Sequence, residues 1–180
     1  MIKIIPFTPK HSLKVKELLL SVLEGEFNHT GVQRPDLDDI PKYYQKDEFS
    51  NFFLALEDDK LVGTIAISSQ PDGTGIMKRF CVSKNQRKNG IGQQLLTHLL
   101  DYAKSKKYIA IYLQTTTDMK TANQLYEKNG FEKIKQPKQL LNAHLVPTSI
   151  FYKLKLGLYA GDEEFDEFDD KHTMHKRMVL

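Results

Sequence analysis

One cysteine, Cys81, is all the sulfur chemistry this 180-residue sequence offers beyond its methionines. No intramolecular disulfide can form and no Cys-x-x-Cys pair exists, which excludes a secreted disulfide scaffold and a zinc ribbon. Long apolar runs are missing too. Lys3, Pro6 and Pro9 interrupt the first ten residues, and no window elsewhere approaches the ~20 apolar residues of a membrane span or a leader's core. Internal repeats are absent. At 40% hydrophobic and 27% charged, a chain of this size buries roughly 70% of its unfolded surface without disulfide or metal support. The expectation is a single soluble, cytoplasmic domain that makes no use of a membrane.

Charge of one sign is missing locally. Residues 162 to 170 contain seven of the 23 acids and no base, whereas residues 1 to 161 carry 23 Lys and Arg against 16 Asp and Glu. A basic body suits an anionic ligand, either nucleic acid or a phosphorylated cosubstrate, and net charge does not choose between them. The acidic run usually signals disorder, yet Phe165 and Phe168 stand three apart and could share a helical face. The expectation is a domain over 1–156 and an acidic tail over 157–180 that docks on the body or a second subunit.

Periodicity supplies the elements. Ile2 to Ile5 reads as a strand, and Thr8-Pro9 as the cap and first turn of a helix with Val15, Leu18, Leu19, Val22 and Leu23 on one face. A short second helix is expected at Leu37 to Tyr44. Strands at Phe52 to Glu57, Leu61 to Ser69 and Ile76 to Val82 are joined by Asp58-Asp59 and Pro71-Asp72-Gly73, which are hairpin compositions. Leu95, Leu96, Leu99, Leu100 and Ala103 mark another helix, followed by a strand at Tyr108 to Leu113. Asp118 is expected to cap a helix bearing Ala122, Leu125 and Tyr126, which Asn129-Gly130 ends. Phe131 to Ile134 and Ile150 to Leu156 are the last strands, and between them lies a loop with one helical turn at Leu140 to His144.

The segment most informative for function is Gln86-Arg87-Lys88-Asn89-Gly90-Ile91-Gly92, set between a strand and a helix. A helix N-terminus offers unsatisfied N–H groups and partial positive charge, glycines allow close backbone approach, and Arg87 and Lys88 add full charge. A pyrophosphate fits that description. The loop is not a Walker motif, since no Gly-Lys-Ser/Thr ends it, nor a dinucleotide fingerprint, since Leu95 occupies the third glycine position.

Arg87, Gly90 and Gly92 resemble the acyl-CoA loop of the GNAT superfamily of N-acetyltransferases, Gln/Arg-x-x-Gly-x-Gly/Ala. Downstream, Ala122 to Phe131 looks like that family's helix, Gly-Phe turn and strand, in which Asn and Tyr meet the pantetheine arm and thiol. The resemblance covers roughly residues 2 to 156. It implies an α/β (α+β) fold: a mixed, mostly antiparallel central sheet of about seven strands flanked by helices, with a splayed strand pair for acetyl-CoA. It further implies that backbone at Phe80 and Val82 holds the pantetheine and thioester, that N–H groups from Arg87 through Lys88, Asn89, Gly90, Ile91, Gly92 and Gln93 hold the pyrophosphate, and that Asn123 and Tyr126 face the cosubstrate. Transfer would then be direct, with no metal.

Acetyl transfer needs a neutral amine, a stabilised carbonyl oxygen and a proton for the departing thiolate. Tyr126, nearly one helical turn after Asn123, is the candidate donor; the alternative is a core ring with a wet hydroxyl. No base is evident. Where histone-modifying relatives place a Glu, this sequence has Met77, whose thioether accepts no proton, which leaves water or one of Glu24, Glu26, Asp36, Asp38 and Asp39. Cys81 reads as a small buried hydrophobe, His172 and His175 alone make no metal site, and Lys104, Lys106 and Lys107 sit at a helix C-terminus, where cations are favourable.

The leading expectation is an N-acetyltransferase acting on a primary amine of a small molecule, as a monomer or homodimer. A protein lysine or N-terminal acetyltransferase would need an open peptide groove, which a long loop at Gln136 to Ser149 would close. A non-catalytic acyl-CoA-binding module would bind without turnover. A nucleic-acid binder rests on net charge alone, and no aromatic-basic motif supports it.

Overall fold

The computed structural model describes residues 1–25 and 33–157. A seven-stranded sheet runs through it in the order β1-β2-β3-β4-β5-β7-β6. The strands are β1 Ile2–Pro6, β2 Asn51–Glu57, β3 Lys60–Ser69, β4 Thr74–Val82, β5 Ala110–Thr116, β6 Glu132–Ile134 and β7 Ser149–Lys155. The helices are α1 Ser12–Leu23, α2 Pro35–Asp38, α3 Ile40–Tyr44, α4 Ile91–Ser105 and α5 Lys120–Lys128. Every pairing is antiparallel except β4 with β5. The expected mixed, mostly antiparallel sheet is what the chain forms. The domain boundary expected near residue 156 lies one residue past β7, and the acidic run, Phe165, Phe168, His172 and His175 lie outside the described residues.

Alternation along the strands sorts two cores. Phe53, Ala55, Ile65, Ile67, Met77, Ile111 and Leu113 face α4, whose Leu95, Leu96 and Leu99 are fully buried among them. Each such leucine contributes roughly 2 kcal/mol of transfer free energy. On the other face Phe52, Leu54, Leu56, Ala66 and Cys81 meet Val15, Leu19 and Val22 of α1 together with Leu37, Ile40 and Tyr44. Farther along that same face, Ile76, Ala110, Tyr112 and Phe151 are covered by Leu140. Cys81 is buried, as its apolar setting suggested.

Local chemistry moved several boundaries. Asp58 and Asp59 both take positive φ, which makes the tight turn between β2 and β3 that their types allow. Tyr108 precedes β5 rather than opening it: Lys107 turns with φ 59°, and the Tyr108 hydroxyl is spent on the Phe49 carbonyl, 3.0 Å away. Met119, not Asp118, stands at the N-cap of α5, which has no side-chain cap. Thr8 likewise caps nothing; its hydroxyl pairs with the His11 ring at 2.9 Å, and a single 3-10 turn at Pro9–His11 leads into α1. The second helix is broken into α2 and α3 at Asp39, whose side chain accepts from Lys42 N–H at 3.2 Å.

Candidate active site

Two irregularities in β4 create the site. Thr64 pairs with Cys81 and Ala66 with Lys78, so Ile65 faces both Arg79 and Phe80. That extra residue is a β-bulge, and Arg79 occupies it with φ 53°. A non-glycine residue in this region costs about 1–2 kcal/mol, and two contacts hold it there. The fully buried Thr64 hydroxyl donates to the Arg79 carbonyl at 2.7 Å. The guanidinium reaches out of the sheet to Asp36, donating from Nε to Oδ2 at 2.7 Å and from Nη2 to Oδ1 at 2.5 Å.

The second irregularity is a split. Pairing between the parallel strands β4 and β5 covers only Thr74, Gly75 and Ile76 against Ala110, Ile111 and Tyr112. Among the described residues, β4 has no partner on its β5 side from Met77 to Val82, and β5 pairs only with β7 from Leu113 to Thr116. Unpaired backbone on two neighbouring strands is a slot into which an extended, amide-bearing chain can add itself as a strand. Phe80 and Val82 lie along it. At its β5 end the Thr116 Oγ1 and Asn123 Oδ1 atoms are buried with no hydrogen-bond partner among the described residues. Leaving such groups unmatched costs roughly 1–3 kcal/mol each, so two acceptors await donors, and a ligand with amide N–H groups supplies them. Asn123 itself is held by donating from Nδ2 to the Thr116 carbonyl at 2.9 Å.

The glycine loop closes one end of the slot. After a 3-10 turn at Lys84–Gln86, Lys88 and Gly90 take φ of 67° and 76°, and Gly90 is the N-cap of α4. The first N–H to bond backward into the helix is that of Gln94, to the Gly90 carbonyl. Lys88, Asn89, Gly90, Ile91, Gly92 and Gln93 therefore present N–H groups with no acceptor among the described residues. That is a donor-lined cradle at the positive end of a 15-residue helix.

The two glycines differ in their surroundings. A Cβ on Gly90 would meet only the end of Gln94 at 4.0 Å, hence open space, whereas one on Gly92 would touch Phe80 at 3.4 Å and Leu125 at 3.5 Å. Gly92 thereby sets α4 close against β4 and α5. The Gln93 side chain exchanges amide hydrogen bonds with Asn129 at 2.9 and 3.1 Å, tying the start of α4 to the end of α5. Arg87 turns back, donating from Nε to the Val82 carbonyl at 3.1 Å.

Tyr126 is packed among aromatic rings: Phe80, Phe131 and Tyr152 lie 6.0, 5.7 and 5.8 Å away, centroid to centroid. Burial pushes its hydroxyl well above the ordinary phenol value, so it stays protonated at neutral pH. No described group hydrogen-bonds to that hydroxyl. Among the carboxylates considered as bases, Asp36 is fully committed: besides Arg79 it accepts from the Tyr44 hydroxyl at 2.6 Å. Burial works to raise its pKa, but Arg79, Tyr44 and Lys78 together hold it below the usual carboxylate value. Such a group is a poor proton acceptor. Glu24 pairs with Arg34, Asp38 with Lys16, and Asp39 caps α3, while Glu26 lies outside the described residues. Met77 is buried toward α4.

Reading the sequence missed the partnership of Asp36, Arg79 and Tyr44. Its trace was there: Lys78-Arg79 is a pair of cations inside an otherwise apolar strand.

Residues 15–131 match the family model described as the acetyltransferase (GNAT) family. The chain belongs to the GNAT family. Its members take acetyl from acetyl-CoA. A GNAT-family acetyltransferase of Staphylococcus aureus has the same fold, with a TM-score of 0.78 at 28% identity over 87% of this chain and all of that one. An acetyltransferase of Streptococcus agalactiae gives 0.72 at 25% identity over 86% of this chain and 98% of that one. Among curated relatives, N-acetylaspartate synthetase of Xenopus tropicalis is 33% identical over 63% of this chain, and probable N-acetyltransferase camello of the same organism 33% over 56%. The chain spans 41% and 47% of those two proteins, less than half of either. No helix among the described residues is long and apolar enough to cross a membrane.

Proposed function

We propose that this chain transfers the acetyl group of acetyl-CoA directly to a primary amine of a small molecule, in the cytoplasm, as a monomer or homodimer. The observation that carries the reading is the juxtaposition of six loop N–H groups, unpaired among the described residues, with a slot between β4 and β5. Acetyl-CoA supplies an activated acyl group. In this reading the loop from Arg87 through Gln93 holds the pyrophosphate, Phe80 and Val82 backbone pairs with the pantetheine and orients the thioester, and Asn123 and Thr116 accept from pantetheine amides. Tyr126 returns the proton to the departing thiolate. With Met77 in the core and Asp36 locked, the amine arrives neutral or loses its proton through water.

A small acceptor is favoured by how the loop between β6 and β7 is fastened over the sheet. Gln114 donates to the His144 carbonyl at 2.7 Å and Gln139 to Asp72 at 2.8 Å, so this segment lies across the approach that a peptide would need.

Calorimetry with acetyl-CoA tests the cradle. Gly90→Val forces a β-branched residue into a left-handed backbone and points its methyls into the space left open for phosphates. A folded Gly90→Val protein should lose at least about tenfold in affinity, the loss expected from one or two disrupted charge-assisted hydrogen bonds. Wild-type affinity in that protein would place the phosphates elsewhere.

A further inference from the structure

The face of the sheet opposite α4 is where an acceptor must enter, because the loop cradle and α4 occupy the other side of the slot. Cross-strand partners share a face, so Ala66, Lys78, Ser68, Ile76 and Tyr112 lie together on this side. Ala66 belongs to the core under α1 to α3, while Ile76 and Tyr112 belong to the core under the β6–β7 loop. Lys78 stands between those two covers, exposed, two residues past the last β4–β5 pair.

Strands β3, β4, β5 and β7 contain no Asp or Glu; Lys78 and Arg79 stand at the split and Lys153 opposite Tyr112, while Lys60 lies away at the β2–β3 turn, across from Glu57. Among the described residues the one acid that reaches Lys78 electrostatically is Asp36, and both its oxygens are taken by Arg79 and Tyr44. Partial desolvation and the proximity of Arg79 and Lys46 lower the Lys78 pKa, with Asp36 opposing them. Lys46 donates to the Ser69 carbonyl at 3.3 Å, at the same edge of the opening, where Asp47 accepts from the Ser69 hydroxyl at 2.5 Å. On the far side Lys153, paired across the strands with Tyr112, lies over its ring at 5.5 Å.

A net positive entrance repels an ordinary alkylammonium and repels a diamine more. It suits an amine that carries its own anion. We propose that the acceptor is a carboxylate-bearing amine of amino-acid type, and that the Lys78 ammonium binds its carboxylate and so sets the reach of the amine into the slot. This rests on the acetyl-transfer reading above.

The test compares amines with and without a carboxylate: L-alanine with ethylamine, L-leucine with 3-methylbutylamine, and L-lysine with cadaverine, followed as thiol release from acetyl-CoA. In at least one pair the amino acid should have the higher kcat/KM by roughly 10- to 100-fold, the value of a hydrogen bond to a charged group. Lys78→Gln should raise KM for that amino acid by a similar factor, with a smaller effect on kcat and none on acetyl-CoA affinity by calorimetry. Lys78→Glu should shift preference toward cadaverine. The inference is overturned if the descarboxy amines are acetylated as well as the amino acids, or if Lys78→Gln leaves the amino-acid KM unchanged; in either result acetyl transfer itself still stands. If acetyl-CoA binds but no amine of either kind is acetylated, the acetyl-transfer reading falls, and the acceptor inference with it.

Discussion

At Tyr126 one residue packs the core and is also the proposed proton donor. Its ring fills the space between Phe80, Phe131 and Tyr152, and its hydroxyl, without a hydrogen-bond partner among the described residues, is not one of the buried orphan atoms and so is open to a ligand or to water. A thiolate leaving from the slot would meet it. Tyr126→Phe keeps the ring and removes the donor, so stability should change by less than about 1 kcal/mol. kcat should fall about 10²-fold or more while acetyl-CoA affinity holds. An unchanged kcat, where chemistry limits the rate, would make Tyr126 a packing residue only. The loop glycines stood out in the sequence by their place before a helix, and Asn123 and Tyr126 only through the family resemblance. Lys78 and Arg79 did not, since whether a cation on a strand is spent or available depends on where Asp36 lands after folding.

Among the elements, α2 and β4 are the pair that matters most. Asp36 and Arg79 are 43 positions apart in sequence, and their two hydrogen bonds, with Tyr44 beside them, fasten the short helical layer to the bulge. Removing one side of a buried ion pair costs about 3 kcal/mol or more, and Asp36→Asn should lower the urea midpoint at pH 7 accordingly. The sign with pH follows from the depressed carboxyl. Its stabilisation is complete above the unfolded aspartate value of about 3.9 and disappears as pH falls below it toward the lower folded value. The gap in urea midpoint between wild type and Asp36→Asn should therefore narrow at pH 3. An equal gap at both pH values would mean that the carboxylate charge is not what holds the bulge. Periodicity gave away the helices α1 and α4 and the meander β2 to β4. It could not reveal the bulge, because Arg79 is not a residue type that favours positive φ, and it misplaced the start of β5, because Tyr108 is buried like a strand residue while its backbone is still turning.

For the molecule as a whole, charge and topology point the same way. The body is basic, its α4 end presents donors that are unpaired among the described residues, and β4 brings Lys78 to the opposite opening. Net charge alone fitted nucleic acid equally well; the unpaired strand backbone beyond the β4–β5 ladder suits an extended, amide-bearing arm. The parallel pairing that creates the split was legible only through the family resemblance, as no local signal in β4 or β5 says where their ladder ends. The most direct measurement is amine-dependent release of thiol from acetyl-CoA, with mass spectrometry of the acceptor. Thiol and acetylated amine should appear in equal amounts, and both should fall together in a folded Gly90→Val protein. Thiol release that is independent of amine, or tight acetyl-CoA binding with no acetylated product from any amine, would contradict the assignment.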